Sequence, residues 1–183
     1  LTSYLLRPRS LPKLDFSEGV PDDCATMVAV PTLLLRDGQV RELVNDLEIR
    51  YLANRDRNLT FAVLTDWPHA RPLRHENDSL LDLWVGLVDD LNRRYGDGGR
   101  TPFYLFHRHR TFNPKEGSWM GWERKRGKLL DLNQLLRGGA DSFPMKVGNP
   151  DIYRRVRYVI TLDSDTQLPR DAARKLVGTL AHP

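Results

Sequence analysis

The chain has 183 residues, 40% hydrophobic and 28% charged, a balance that fits an ordinary soluble globular domain and excludes disordered and fibrous classes. Its 28 basic and 24 acidic residues leave a net charge of +4, with a pI near 9.4. That favours an anionic partner without choosing among nucleic acid, lipid headgroups and a phosphorylated small molecule. A single cysteine, Cys24, excludes an internal disulfide and any cysteine cage for a metal, and reads as a buried inert thiol in a reducing compartment. The chain opens on Leu1, carries no signal pattern, and its longest apolar run, around Met27 to Leu35, is too short to span a bilayer. It is therefore expected to be a piece of a longer protein, with any membrane anchor outside it.

Residues 1–23, with Pro8, Pro12 and Pro21 among polar residues, read as an irregular arm or linker. From 24 to 183, strand and helix patterns alternate. "ATMVAVP" (25–31) predicts a buried strand, and Leu43, Val44, Leu47 and Tyr51 recur from Val40 at helical spacing. "LTFAVLTD" (59–66) predicts a second strand, ended by Asp66 and Pro68. A helix follows from about Ser79, where Ser79 and Asp82 resemble a capping box, to the stop "GDGG" at 96–99. "PFYLFHR" (102–108) predicts a third strand, followed by an Asn-, Pro- and Gly-containing loop. A helix is expected from about Trp122 to Leu136, then a second long loop, a fourth strand over Tyr158 to Leu162 buried on both faces, and a last helix from about Arg170. Alternation of this kind predicts an α/β fold with a parallel sheet and helical crossovers. In such sheets ligands collect beyond the carboxyl ends of the strands, where Thr32, Asp66, Arg108, His109 and the pair Asp163/Asp165 stand.

The fourth strand ends in "DSD". Side chains two residues apart on a strand point the same way, with α-carbons about 6.5 Å apart. Two like charges at about 6 Å and an effective dielectric near 20 repel by roughly 2–3 kcal/mol, a cost that a bound cation removes. Carboxylate oxygens completed by substrate phosphates suit Mg²⁺, and Mn²⁺ accepts the same donors. Haloacid dehalogenase phosphatases also end a strand with D-x-D, but they place Thr or Val where this chain has Gln167, and their motif opens the domain. Here only 18 residues follow Asp165.

The segment "ERKRGKLLDLNQLL" (123–136), with Lys128, Leu132, Asn133 and Leu136 in a K-x-x-x-L-N-x-x-L spacing, resembles the region before the D-x-D strand in processive family 2 glycosyltransferases. "VAVPT" (28–32) is similar to their first strand. With "FNPKEGSWMGWERKRGKL" and "YVITLDSDTQLPRDAARKLVGTL" added, the chain resembles the glycosyltransferase region of bacterial cyclic β-1,2-glucan synthases over most of residues 25–183.

That resemblance implies the nucleotide-binding portion of a GT-A glycosyltransferase fold, a three-layer α/β/α arrangement of family 84 type. It implies Mg²⁺ or Mn²⁺ as cofactor and inverting transfer of glucose from UDP-glucose to a growing β-1,2-glucan acceptor. By the same pattern Asp163 and Asp165 bind the metal and diphosphate, Asp163 also reaching the ribose. Thr32 and Asp66 line the uridine pocket, and Lys128 meets a phosphate. In the family this region faces the cytoplasm at the bacterial inner membrane, beside other domains of the same membrane protein; nucleic acid is not an expected partner. The general base and the acceptor half are expected downstream, so the isolated piece is expected to be inactive. Two departures weaken the nucleotide contacts: Leu33 and Leu34 follow the "PT", and Trp67 and Pro68 follow Asp66, where relatives carry polar or small residues. Trp119 and Trp122 read as core rather than as sugar platforms, and Arg108, His109 and Arg110 as a basic rim rather than a metal site. The alternative reading is a noncatalytic nucleotide- or polyanion-binding module.

Overall fold

The computed structural model describes residues 11–33, 36–68 and 78–183. Leu34 and the first ten residues of the arm, Pro8 among them, lie outside that set. Four parallel strands form the sheet's body: β1 (Thr26–Leu33), β2 (Leu59–Asp66), β3 (Phe103–His107) and, much later in the chain, β7 (Tyr158–Thr161). The short β6 (Met145–Val147) adds antiparallel to β3, which gives the order β6-β3-β2-β1-β7. Among the described residues four α-helices, α1 (Asp37–Ala53), α2 (Asp78–Tyr95), α3 (Arg124–Leu136) and α4 (Ala172–Leu180), flank the sheet, with a small hairpin of β4 (Thr111–Asn113) and β5 (Ser118–Met120) between β3 and α3.

The near-continuous apolar character of β1, β2 and β3 follows from burial on both sides. Val28, Val30, Phe61, Val63, Phe103 and Leu105 pack under α1, α2 and α4. The alternate residues Met27, Ala29, Ala62, Leu64, Tyr104 and Phe106 pack under α3 and Phe143. This is a mixed α/β fold in three layers, α/β/α, as the sequence predicts. None of its helices, among the described residues, is long and apolar enough to cross a membrane.

Three expectations need correction. The two "loops" each contain strand: β4 and β5 lie in the first and β6 in the second. Segments of three residues carry no readable periodicity and exist only through their partners. The fourth strand is not buried on both faces. It pairs only with β1 among the described residues, so Ile160 is buried while Tyr158 and Val159 are half-buried and Thr161 is exposed. Over its described part the arm is irregular but lies against the fold: Leu14 N donates to Gly178 O at 2.9 Å, Phe16 packs on the core and Val20 is buried. Ser79, the expected cap, already lies inside α2, whose preceding residues are outside the described set. Cys24 is buried and unbridged.

Under α1 and α2 sits an aromatic cluster in which the Tyr51 ring lies 4.9 Å from Phe103, 5.2 Å from Tyr95 and 5.8 Å from Phe61. The Tyr51 hydroxyl is buried with no partner among the described residues. Since the ring contacts supply the packing and the hydroxyl only a desolvation cost, Tyr51→Phe is expected to leave stability unchanged or raise it by up to about 1 kcal/mol in urea melts. A loss of that size instead would mean that the hydroxyl is bonded.

Candidate functional site

The sheet order places β2 on one side of β1 and β7 on the other, so the chain reverses its direction of travel across the sheet between β1 and β7. Crevices form at the carboxyl ends of strands at such a reversal. A cavity of about 560 Å³ opens there. β1 contributes Pro31, Thr32 and Leu33 to it, α3 contributes Arg124, Lys125 and Lys128, and the turn after β7 contributes Ser164. Its wall is therefore basic on the α3 side.

Behind that wall lies a buried ionic network that the parallel register assembles. Leu33 stands beside Asp66, and Thr65 beside His107, so the ends of β1, β2 and β3 are level. Alternation then sends Asp66 and Arg108 to the α3 face. Arg108 Nε and Nη2 donate to Asp66 Oδ1 and Oδ2 at 2.8 and 2.9 Å, a two-pronged pair, and Nη1 donates to Asp131 of α3 at 2.6 Å. Lys128 Nζ lies 3.2 Å from Asp66 Oδ2 and donates to the Thr32 carbonyl oxygen. The side chains of Asp66, Arg108 and Lys128 are each only 3% exposed, and two acids balance two bases. Burial pushes the Lys128 ammonium below its ordinary pKa, against the pull of Asp66. For Arg108, burial acts downward, but the hydrogen bonds to Asp66 and Asp131 prevail and hold the guanidinium above its ordinary value.

The turn into α3 is shaped around the same guanidinium. Nη2 of Arg108 also donates to the carbonyls of Trp122 at 3.0 Å and Arg124 at 3.2 Å. Glu123 and Arg124 take left-handed backbone, φ 49° and 45°, an unfavourable conformation that the converging carbonyls account for. Two glycines leave room for it. A methyl at Gly121 would collide with Asp66 Oδ2, and one at Gly127 with the Trp122 carbonyl oxygen while standing 2.9 Å from Arg108 Nη1.

The residues expected at the site fall into two groups. Thr32 and Lys128 line the cavity; Ser164, between the two aspartates, lines it too. Asp163 and Asp165 are exposed, and they sit in a turn beyond β7 rather than on the strand itself. Thr166 N donates to Asp163 O at 3.0 Å to close that turn, so the strand spacing assumed for the pair does not apply. Asp163 pairs with Lys125, whose ammonium occupies the carboxylate from the cavity side. Asp66 lies behind Lys128, with both its oxygens partnered. Among the described residues no three His, Cys, Asp or Glu side chains converge on a metal position.

Other expectations change. Arg108 is a buried counter-ion, not part of a basic rim. Trp122 is 53% exposed, so it is not core. His107 is buried, its Nδ1 2.8 Å from Thr65 Oγ1 and its ring edge-on to Trp67. Asp131 and Arg50 are functional positions that the strand-end reading does not reach, although the helical spacing marks them. Arg50 follows Leu47 by three on the apolar stripe of α1, and Asp131 follows Lys128 by three on α3. Arg50 Nη2 donates to Ser164 O at 2.6 Å, directly beneath the aspartate turn.

Fold and site together define a three-layer α/β domain with a basic-walled cleft at the switch point of its sheet, facing a turn that carries two exposed acids. Over 178 residues, 97% of its length, the chain is 45% identical to a segment of a protein described as cyclic beta-(1,2)-glucan synthase NdvB from Rhizobium meliloti (strain 1021). The chain spans about 6% of that relative's length. The likeness to cyclic β-1,2-glucan synthases drawn from its motifs is thus borne out across nearly the whole chain. No protein-family model matches it.

Two expectations follow. Alanine at Gly127 gains about 1 kcal/mol of helix propensity, but a methyl there meets a backbone carbonyl and the buried guanidinium. Gly127→Ala is therefore expected to destabilise by about 2 kcal/mol net or more in denaturant melts. His107 is pushed by burial from 6.5 down to about 4, so the unfolded chain takes up its proton at the higher pH. Its contribution to stability is complete above pH 6.5 and is lost as pH falls towards 4. The loss should total about 3 kcal/mol. Melts across that window should show the slope, and His107→Gln should flatten it.

Proposed function

We propose that the chain is the donor-binding half of a metal-dependent inverting glycosyltransferase, one that transfers glucose from UDP-glucose to a growing β-1,2-glucan. The observation that carries the reading is the cleft between Thr32 and Lys128 on one side and the Asp163/Asp165 turn on the other, in a chain 45% identical to a segment of a cyclic glucan synthase. A basic wall and two exposed carboxylates suit a diphosphate bridged by a hard cation. The donor set fits: both acids offer hard oxygens with room for phosphate oxygens, as Mg²⁺ and Mn²⁺ favour. When bound, such an ion neutralises the diphosphate and so stabilises it as a leaving group.

In this reading each residue has a task. Asp163 and Asp165 hold the cation; Asp163 is freed for it as the Lys125 ammonium moves to a phosphate oxygen. Lys128 has three N–H donors, two of them taken by Asp66 and the Thr32 carbonyl, which leaves one for the ligand. Asp66 serves the nucleotide through Lys128, by fixing where that ammonium stands. Thr32 lines the nucleoside end of the cleft. The acceptor hydroxyl displaces UDP from the anomeric carbon with inversion and gives up its proton to a general base. That base is proposed to come from outside this chain, so the chain by itself makes no glucan. Its setting is proposed to be the cytoplasmic face of a bacterial inner membrane, beside other domains of the same protein.

A thermal-shift series with UDP, UDP-glucose and Mn²⁺, singly and combined, tests this. UDP with Mn²⁺ at about a hundredfold over Kd should stabilise by about 2.7 kcal/mol, roughly 5–10 °C in Tm for a domain of this size. Asp165→Ala should abolish the shift, and an unchanged response in the variant overturns the metal assignment. A polyanion-binding module would instead lose its ligand steeply with salt and show no need of Mn²⁺.

A further inference from the structure

We infer that Arg50 is a positioning residue for the aspartate turn: from inside the fold it fixes the backbone on which Asp163 and Asp165 are displayed. This rests on the reading of that pair as a cation site. The apolar stripe of α1, Val40, Leu43, Val44, Leu47 and Tyr51, runs through position 50, and a leucine there would continue it. An arginine stands there instead, only 5% exposed. Its Nη2 donates to Ser164 O at 2.6 Å and Thr166 O at 2.9 Å, and its Nε to Thr166 O at 3.1 Å.

No carboxylate lies within ion-pairing distance of this guanidinium among the described residues, and its Nη1 is buried without a partner. Asp46 and Asp165 act on it only from further off, opposing the effect of burial, which draws its pKa down. A buried cation satisfied by carbonyls alone is a costly way to fill an apolar position. Packing does not account for it, but turn geometry does. The fork draws the carbonyls of Ser164 and Thr166 inward, the bond from Thr166 N to Asp163 O closes the turn, and both aspartates remain exposed on the outer side. Lysine could reach one of these carbonyls with a point charge, but not grip both in a plane.

The rest of the loop is tied elsewhere. Asn54 Nδ2 donates to Leu168 O at 3.2 Å, Asn54 Oδ1 accepts from Ala173 N at 3.0 Å, and Asp171 N donates to Ala53 O at 3.1 Å. These bonds hold the run into α4, downstream of the acids. Asn54 is therefore the comparison residue: it anchors the same loop but touches none of the acid-bearing turn.

The test is a Mn²⁺ titration of the 183-residue chain in the presence of UDP, read by the loss of the free Mn²⁺ signal in electron paramagnetic resonance, with Tm of the unliganded protein measured alongside. Arg50→Lys is expected to weaken Mn²⁺ binding at least tenfold, and Asn54→Ala to lower Tm while keeping the parent's affinity. Arg50→Met should weaken binding further; if it does not fold, Arg50→Lys decides. Unchanged Mn²⁺ affinity in Arg50→Lys, whatever its Tm, overturns the inference, as does an equal loss in Asn54→Ala. A parent chain that takes up no Mn²⁺ with UDP overturns the cation site itself, and the role of Arg50 with it.

Discussion

The two-pronged bond between Arg108 and Asp66 is the interaction on which the carboxyl edge of this sheet depends. Both charges are out of water, where an unpaired one costs several kcal/mol, so every neighbour is arranged to complete them. Asp131 takes the third face of the guanidinium, Lys128 pairs with Asp66 as the second base, and the turn carbonyls of Trp122 and Arg124 fill what remains. Loss of either member of the Arg108–Asp66 pair would leave the other charge buried without it. The left-handed residues at the start of α3, Glu123 and Arg124, and the two glycines beside Arg108 are consequences of the same demand, because the backbone must come close enough for its carbonyls to accept from the guanidinium.

That network connects structure to site by a short route. It seats α3 against the ends of β2 and β3, and α3 in turn carries Arg124, Lys125 and Lys128 to the cleft. Lys128 belongs to both assemblies, with its ammonium among the buried ions and its edge on the cavity. The basic wall is thus held from behind. The opposite wall is built differently. β7 is an edge strand with little burial, and the turn after it is supported by α1, from the other layer of the fold. One wall is set by ion pairs inside a layer, the other by a helix reaching across to backbone carbonyls.

Much of this was written in the local sequence. Strands β1, β2 and β3 carry apolar runs of a length and composition that only two-sided burial explains, and the helices α1 and α2 follow their apolar spacing. Thr32 and Asp66 at the carboxyl ends of β1 and β2, and Arg108 just past β3, followed from counting strands, and the motifs around Lys128 and Asp165 led to a matching relative. The misses share a cause. Three-residue strands such as β6 have no periodicity of their own, and the apolar character of Trp122 points to the core although its neighbours leave it exposed.

The sequence by itself therefore determined the layers of the sheet and the kinds of side chain at its carboxyl edge, because alternation and helical spacing are properties of consecutive residues. Only the tertiary structure decided which of those side chains meet one another. That Asp66 turns to Arg108 and Lys128, that Asp163 and Asp165 leave the strand for a turn, and that Arg50 lies beneath them are matters of register and crossing between segments far apart in the chain. No local pattern encodes the partner of a buried charge; its pairing is set by the three-dimensional packing that removes it from water.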